Sequence, residues 1–381
     1  MWDMSFNRRV LFGRDKVREC MPLAKELGMS KVFILPYTND AFGLDGIKHD
    51  LTDAGIDFVV YDKVKTEPDL DVIDNGASIL KENGCDGVLA MGGGSVLDAA
   101  KAIAMLATNG GTVEQYQMDG KKIEKPCLPM IMLPTTSGTG SEATRVSVIY
   151  NPHNGLKKSI YSPLMIGDAV IFDPVLVSRL PPELAASTGM DALSHAIEAY
   201  VSLNANPLTE MYSLKALNLI KNSLENAVEN KDGGGARGEM MLASYFAGCA
   251  IHAGIGAAHI IAQPLGGMFH IPHGDACSIF LPHAMEANLE YSLQKYADIA
   301  VALGVATHNL DTRAAALAGI EEVLRIRECI HAPLTLRRYV QDGHFNMDHA
   351  LDTVTGATGH IKCNPRPVDK SLLRHIIEKS M

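Results

Sequence analysis

The sequence predicts an α/β domain built on a parallel sheet, followed by an all-α domain. Three observations carry this. Short apolar runs alternate with amphipathic stretches as far as Phe172. From Pro181 onward only helical periodicity remains. At 381 residues the chain holds enough material for two domains of ordinary size.

Phe6–Phe12 alternates weakly and stops at Gly13, as a strand does. Lys16–Leu27 has helical spacing and ends at Gly28. Lys31–Leu35 is a short strand of the buried type, Asp45–Ala54 a helix, Asp57–Tyr61 a strand and Asp69–Asn83 a helix stopped by Gly84. Gly87–Met91 is the next apolar strand. Strands alternating with helices imply parallel pairing through right-handed crossovers. This strand runs into Gly92, Gly93, Gly94 and Ser95, then a helix from Val96. Such glycines let backbone approach a ligand, Ser95 is placed to cap the helix, and the helix N-terminus offers free N–H groups to a pyrophosphate. An ordinary turn fits the same residues. Pro129–Leu133 is another strand, ending in Pro134-Thr-Thr-Ser-Gly-Thr-Gly-Ser-Glu142, dense in hydroxyl and amide donors. A flexible polar loop is the alternative. Thr144–Tyr150, Lys158–Tyr161 and Ala169–Phe172 complete the strands, with turns at Asn151–Gly155 and Pro163–Asp168.

The composition changes within Asp173–Pro182, so the expected domains are 1–178 and 179–381. Helices are expected at Asp191–Ser202, Pro207–Glu229, Gly238–Ile255, Ala258–Phe269, Ala276–Glu290, Ser292–Leu303, Arg313–Ile330, Leu334–Val340, Met347–Thr355 and Leu372–Lys379, with a loop at Lys231–Gly235. Asp191 and His195, four apart, share one face of the first. His259 and His273 are separated by a Gly/Pro break, so they sit on two elements able to converge. One carboxylate and three imidazoles suit Fe(II) or Zn(II) better than Mg(II) or Ca(II). A lone histidine in an apolar helix is ordinarily a hydrogen-bonded core residue. Four such groups in a low-charge region would be costly to bury without a cation. Cys277, four beyond His273, reads as packing.

Gly189-Met-Asp-Ala-Leu-Ser-His-Ala-Ile-Glu-Ala-Tyr-Val-Ser202 and His259 with Pro272-His-Gly-Asp-Ala276 resemble the two signatures of the iron-containing (group III) alcohol dehydrogenase family. The resemblance covers nearly the whole chain. It implies that family's fold, shared with dehydroquinate-synthase-like enzymes: a Rossmann-like sheet domain, a helical domain and an active site in the cleft between them. It implies that Asp191, His195, His259 and His273 bind Fe(2+), with Zn(2+) as the other option. It implies that Gly92–Ser95 is the diphosphate loop, that Asp98 falls at a cofactor position, and that Thr135, Thr136, Ser137, Thr139 and Ser141 contact the nicotinamide cofactor. Two departures stand out. Gln263 occupies the place of a histidine one turn after His259 that relays the alcohol proton. His270 is a substitute candidate, although a surface histidine is the plainer reading. The family's ribose-binding Asp after the first strand is missing, and Asn39 or Asp40 in Pro36–Asp40 is the expected replacement, which favours NAD and leaves NADP open.

The implied reaction interconverts a small primary alcohol and its aldehyde by hydride transfer; diols, hydroxy acids and sulfonated aldehydes belong to the same range. Arg145 and Lys157 could hold an anionic substrate, though scaffold charge is the simpler reading. A lyase or cyclase of the dehydroquinate-synthase kind and a non-catalytic assembly protein are the competing readings. A hydrophobic content of 47%, with 20% charged residues, is that of a globular enzyme. The net charge of −10 and the lack of a basic run argue against nucleic acid. No apolar run approaches the roughly 20 residues that span a bilayer. Seven scattered cysteines without CxxC pairs, and no secretory signal, lead to the expectation of a reduced, cytoplasmic homo-oligomer, dimer or larger.

Overall fold

The computed structural model of the protein describes residues 2–65, 67–230, 234–340, 345–356 and 362–381. The chain separates into two compact units. One comprises Asp3–Thr136 and Gly140–Arg179; the other comprises Trp2, Ser137–Thr139 and Leu180–Met381.

Among the described residues the first unit holds eight strands: β1 Arg9–Phe12, β2 Lys31–Pro36, β3 Asp57–Val60, β4 Gly87–Gly92, β5 Met130–Pro134, β6 Val146–Asn151, β7 Leu156–Tyr161 and β8 Ala169–Phe172. Six of them form a sheet in the order β1-β8-β5-β4-β2-β3, with every pair parallel. β2, β4, β5 and β8 are almost wholly buried, which is why they read as unbroken Val/Ile/Leu/Met runs rather than as alternating patterns. The edges β1 and β3 are exposed or half-buried. β6 and β7 stand apart as an antiparallel hairpin in the register Val146↔Tyr161 to Asn151↔Leu156, turned at Gly155 with φ +70°. The stretch expected as one helix at Lys16–Leu27 is a 3-10 turn, Lys16–Glu19, leading into the helix Cys20–Glu26.

Among the described residues the second unit contains no strand. Its first helix is Pro182–Val201, nine residues longer at its start than expected; Pro182 sits in the opening turn, where the missing N–H costs nothing. From Gly189 to Val201 every residue of it is buried. Helices Pro207–Glu229, Gly235–Ala250, Ala257–Phe269, His273–Asn288 and Thr312–Cys329 pack into one apolar core with it. Leu334–Val340 shortens to the 3-10 turn Leu336–Arg338. Of the loop expected at Lys231–Gly235, residues 231–233 lie outside the described residues, and Gly235 already opens a helix. Among the described residues no single helix is long and apolar enough to cross a membrane.

Candidate metal and cofactor sites

Asp191 and His195 lie one turn apart on the Pro182–Val201 helix, and Glu198 follows three residues later. A helix buried on all sides offers these groups no water, so each must be met by protein. His259 stands in the first turn of the Ala257–Phe269 helix, and His273 opens the His273–Asn288 helix. The three helices bring the imidazoles onto one oxygen. Asp191 Oδ1 lies 3.5 Å from His195 Nε2, 3.4 Å from His259 Nε2 and 3.5 Å from His273 Nε2. The rings of His195 and His259 stack at 4.5 Å between centroids.

The orientation of two rings is fixed from behind. Glu198 Oε1 accepts from the Ala258 N–H at 2.7 Å, satisfying a free donor at that helix N-terminus, and Oε2 lies 2.5 Å from His259 Nδ1. An ionised carboxylate only accepts, so His259 donates from Nδ1 and turns Nε2 towards Asp191. His195 Nδ1 lies 3.3 Å from the Gly138 carbonyl, which likewise only accepts, and its Nε2 is thereby aimed the same way. Gly138 reaches this position because a Cβ there would meet the Thr188 carbonyl at 2.7 Å.

Electrostatics follow from the crowding. Burial raises the Asp191 carboxyl, but His195, His273 and His259 together hold it well below the usual carboxylate range. Burial also raises Glu198, and His259 with the Gly256 and Ala258 N–H groups brings it below its ordinary value. Burial lowers His195. Burial pushes the Cys277 thiol up to about 11.

The donor set fits a cation. Metal–ligand bonds of about 2.0–2.2 Å in tetrahedral array place their ligand atoms about 3.3–3.6 Å apart. The three N–O separations around Asp191 Oδ1 fall in that interval. Ligand atoms of Asp191, His259, His273 and Cys277 all lie within 4.8 Å of one another. Cys277 therefore borders the cluster instead of merely filling apolar space. Gln263 is half-buried one turn beyond His259 on the same helix. His270 is exposed and ends that helix with φ 54°, the surface position that its plainer reading implies.

In the first unit β4 ends at Gly92, Gly93 caps the Gly94–Asn109 helix, and Gly94 and Ser95 lie in its first turn. Ser95 is thus not the cap expected from the sequence; the extended backbone of Gly93 supplies it. The Thr135 N–H donates to the Gly92 carbonyl at 3.0 Å, and a Cβ on Gly93 would touch Thr136 at 3.2 Å. The glycine turn and Thr135–Thr136 are thus neighbours, whereas Ser137 and Thr139 belong to the second unit.

Asp98 is engaged within the first unit. It accepts from Ser141 Oγ at 2.5 Å and from the Val148 N–H at 3.0 Å, and it pairs with Lys101 Nζ at 3.0 Å. Lys101, fully buried, donates onward to Ser141 O, Thr144 Oγ1 and Val146 O. Asn39 donates to Asp62 at 2.6 Å, and Asp40 is exposed beside it. Arg145 and Lys157 already have carboxylate partners, Asp3 and Glu67, in keeping with scaffold roles.

Sequence reasoning missed Glu198 and Lys101. Glu198 was detectable: positions 191, 195 and 198 share one helix face. Lys101, three residues after Asp98, carried the same kind of signal.

The chain matches known proteins along nearly its whole length. The profile of the iron-containing alcohol dehydrogenases matches residues 7–174, and that of the C-terminal part of the Fe-containing alcohol dehydrogenase family matches residues 185–381. The NAD-dependent methanol dehydrogenase of Bacillus methanolicus is 35% identical over 329 residues, covering 85% of each chain. Alcohol dehydrogenase 4 of Saccharomyces cerevisiae is 35% identical over 377 residues, covering 97% of this chain and 96% of its own. The crystal structure of a 1,3-propanediol oxidoreductase superposes with a TM-score of 0.95 at 32% identity, covering 100% of both chains.

Proposed function

The chain belongs to the iron-containing alcohol dehydrogenase family, and from that premise we propose which residues perform its reaction and on what. It is an oxidoreductase that interconverts an alcohol and its aldehyde with a nicotinamide cofactor. The metal ligands are Asp191, His195, His259 and His273. The single observation that supports this set is three imidazole Nε2 atoms within 3.5 Å of Asp191 Oδ1. When bound, the cation would supply Lewis acidity that eases proton loss from the alcohol, and a nicotinamide would supply the hydride acceptor. Glu198 and the Gly138 carbonyl hold two imidazoles in the tautomer that leaves Nε2 free for a ligand bond.

The turn Gly92–Ser95 binds the cofactor diphosphate through its backbone N–H groups. Thr135, Thr136, Ser137 and Thr139 supply donors to the cofactor, while Ser141, whose hydroxyl proton goes to Asp98, contacts it as an acceptor, and Asp98 acts through Ser141. Asn39 and Asp40 meet the adenosine ribose, favouring NAD over NADP. Gln263 orients substrate by hydrogen bonding. It does not titrate, so another group carries the alcohol proton away. The substrate is a small primary alcohol or its aldehyde.

Elemental analysis of anaerobically purified protein, followed by small aldehydes with NADH and NADPH, tests this. One cation per chain and stoichiometric NADH oxidation are expected; a lyase would recycle its cofactor without net change. His259→Ala and His273→Ala are each expected to lose cation and turnover while NAD still binds. Turnover with full cation content in both variants would reject the ligand assignment.

We place the enzyme in the cytoplasm as a homo-oligomer. Supporting this, none of the seven cysteines is in a disulfide, and the edge strand β1 exposes Val10 and Phe12. Light scattering is expected to give a mass of at least two chains; a monomer at working concentration counts against it.

A further inference from the structure

We propose that Asn364 is a positioning residue for the metal centre: from near the end of the chain it holds the start of the Ala257–Phe269 helix, and through it the ring of His259. The inference rests on the metal-centre reading above and adds a residue that touches neither cation nor substrate.

The need arises at the helix N-terminus. The first N–H groups of a helix have no partner within it. Gly256, the residue before this one, has no side chain to offer them. Two distant residues supply the acceptors instead. The Ala258 N–H donates to Glu198 Oε1 at 2.7 Å, and the Ala257 N–H donates to Asn364 Oδ1 at 3.1 Å, across 107 residues of sequence. The glycine makes room for both. A Cβ at position 256 would lie 2.9 Å from Asn364 Oδ1 and 3.0 Å from Glu198 Oε1. His259 comes one residue after the last of these two N–H groups, so a shift of the helix start moves its ring directly.

Asn364 is itself held firmly enough to act as a clamp. It is only 2% exposed. Its Nδ2 donates to the Arg366 carbonyl at 2.6 Å and to Asn288 Oδ1 at 2.8 Å, and its Oδ1 accepts from Asn288 Nδ2 at 2.9 Å. The Ala257 N–H can only donate and the Arg366 carbonyl can only accept, so the Asn364 amide has a single orientation, and Asn288 must face it in the opposite sense. Asn288 is the last residue of the helix that His273 opens. The amide pair therefore ties together the two helices that carry His259 and His273. Just before it, the Cys363 carbonyl accepts from the Leu203 N–H at 2.9 Å, beyond the end of the helix that carries Asp191 and His195. One short stretch of the tail thus touches all three ligand-bearing elements away from the cation.

Asn364→Ala, loaded with cobalt(II) beside the unmutated protein, tests this. Competition with a calibrated chelator is expected to show affinity down about 10-fold, the low end for residues behind a metal ligand. The d–d absorption of the fully loaded variant is expected to shift, because the ring of His259 no longer points as before. Mere loss of stability would lower the melting temperature and leave that absorption alone. A loaded spectrum identical to that of the unmutated protein, whatever the affinity, overturns the proposal and leaves the metal centre standing. No cobalt uptake by the unmutated protein overturns both. Should Asn364→Ala fail to fold, Asn288→Ala carries the test. It removes the amide pair but keeps Asn364, so the same spectral shift is expected, and its absence overturns the proposal.

Discussion

Glu198 performs two tasks with one carboxylate: one oxygen closes a helix N-terminus and the other grips the back of His259. Glu198→Gln keeps the shape but weakens the grip, because a neutral amide oxygen accepts less strongly than an anion. Cation affinity is expected to fall about 10–100-fold, the range for partners behind a metal-binding histidine. Competition with a calibrated chelator measures it, and unchanged affinity would mean that His259 is oriented by other means. Residues of this kind show what sequence discloses and what it conceals. Asp191 and His195 were legible as a pair because four residues on a helix bring side chains together. His259 stands 61 residues from Glu198, so only the fold joins them. Cys277 reads as packing because a cysteine in an apolar run carries no mark of polar neighbours.

At the scale of elements, the site depends on how closely two helices approach. A Cβ on Gly274 would lie 1.8 Å from the Ser187 carbonyl oxygen, one turn before Asp191. Backbone cannot give way as a flexible side chain does. Gly274→Ala is therefore expected to force the His273–Asn288 helix off the Pro182–Val201 helix, costing about 1–3 kcal/mol. Thermal denaturation and cation content measured together check this; a stable variant with full cation content would show that the helices have slack. Most elements were legible because their apolar periods differ. The start of the Pro182–Val201 helix was not, since two prolines look like linker until the chain beyond them proves helical. The cap of the Gly94–Asn109 helix was misassigned for a related reason. Serine is the better capping residue, yet the turn tightens before Ser95 and Gly93 takes the place.

On the scale of the whole molecule, one buried acid links stability to pH. Burial raises the Glu142 carboxyl from the ordinary 4.5 to about 7. A carboxyl raised in the folded state binds more protons there than in the unfolded chain. The stability contributed by this one group therefore falls as pH rises from about 4.5 to 7, by roughly 3 kcal/mol in total, and stays reduced above that. Glu142→Gln removes this slope. Urea denaturation at pH 5 and pH 8 is expected to show the variant gaining on the unmutated chain mainly at pH 8; parallel curves would mean that Glu142 is ionised without penalty.

The alternation of strands and helices made the α/β and all-α parts readable along the chain. The allegiance of Ser137–Thr139 was not, because nothing in three small polar residues says which core they serve. That allegiance governs how the gene can be divided. A fragment starting at Leu180 would carry every proposed cation ligand yet omit Gly138, whose carbonyl steers His195. The helical half, excised at its obvious seam, would be born with one imidazole unsteered.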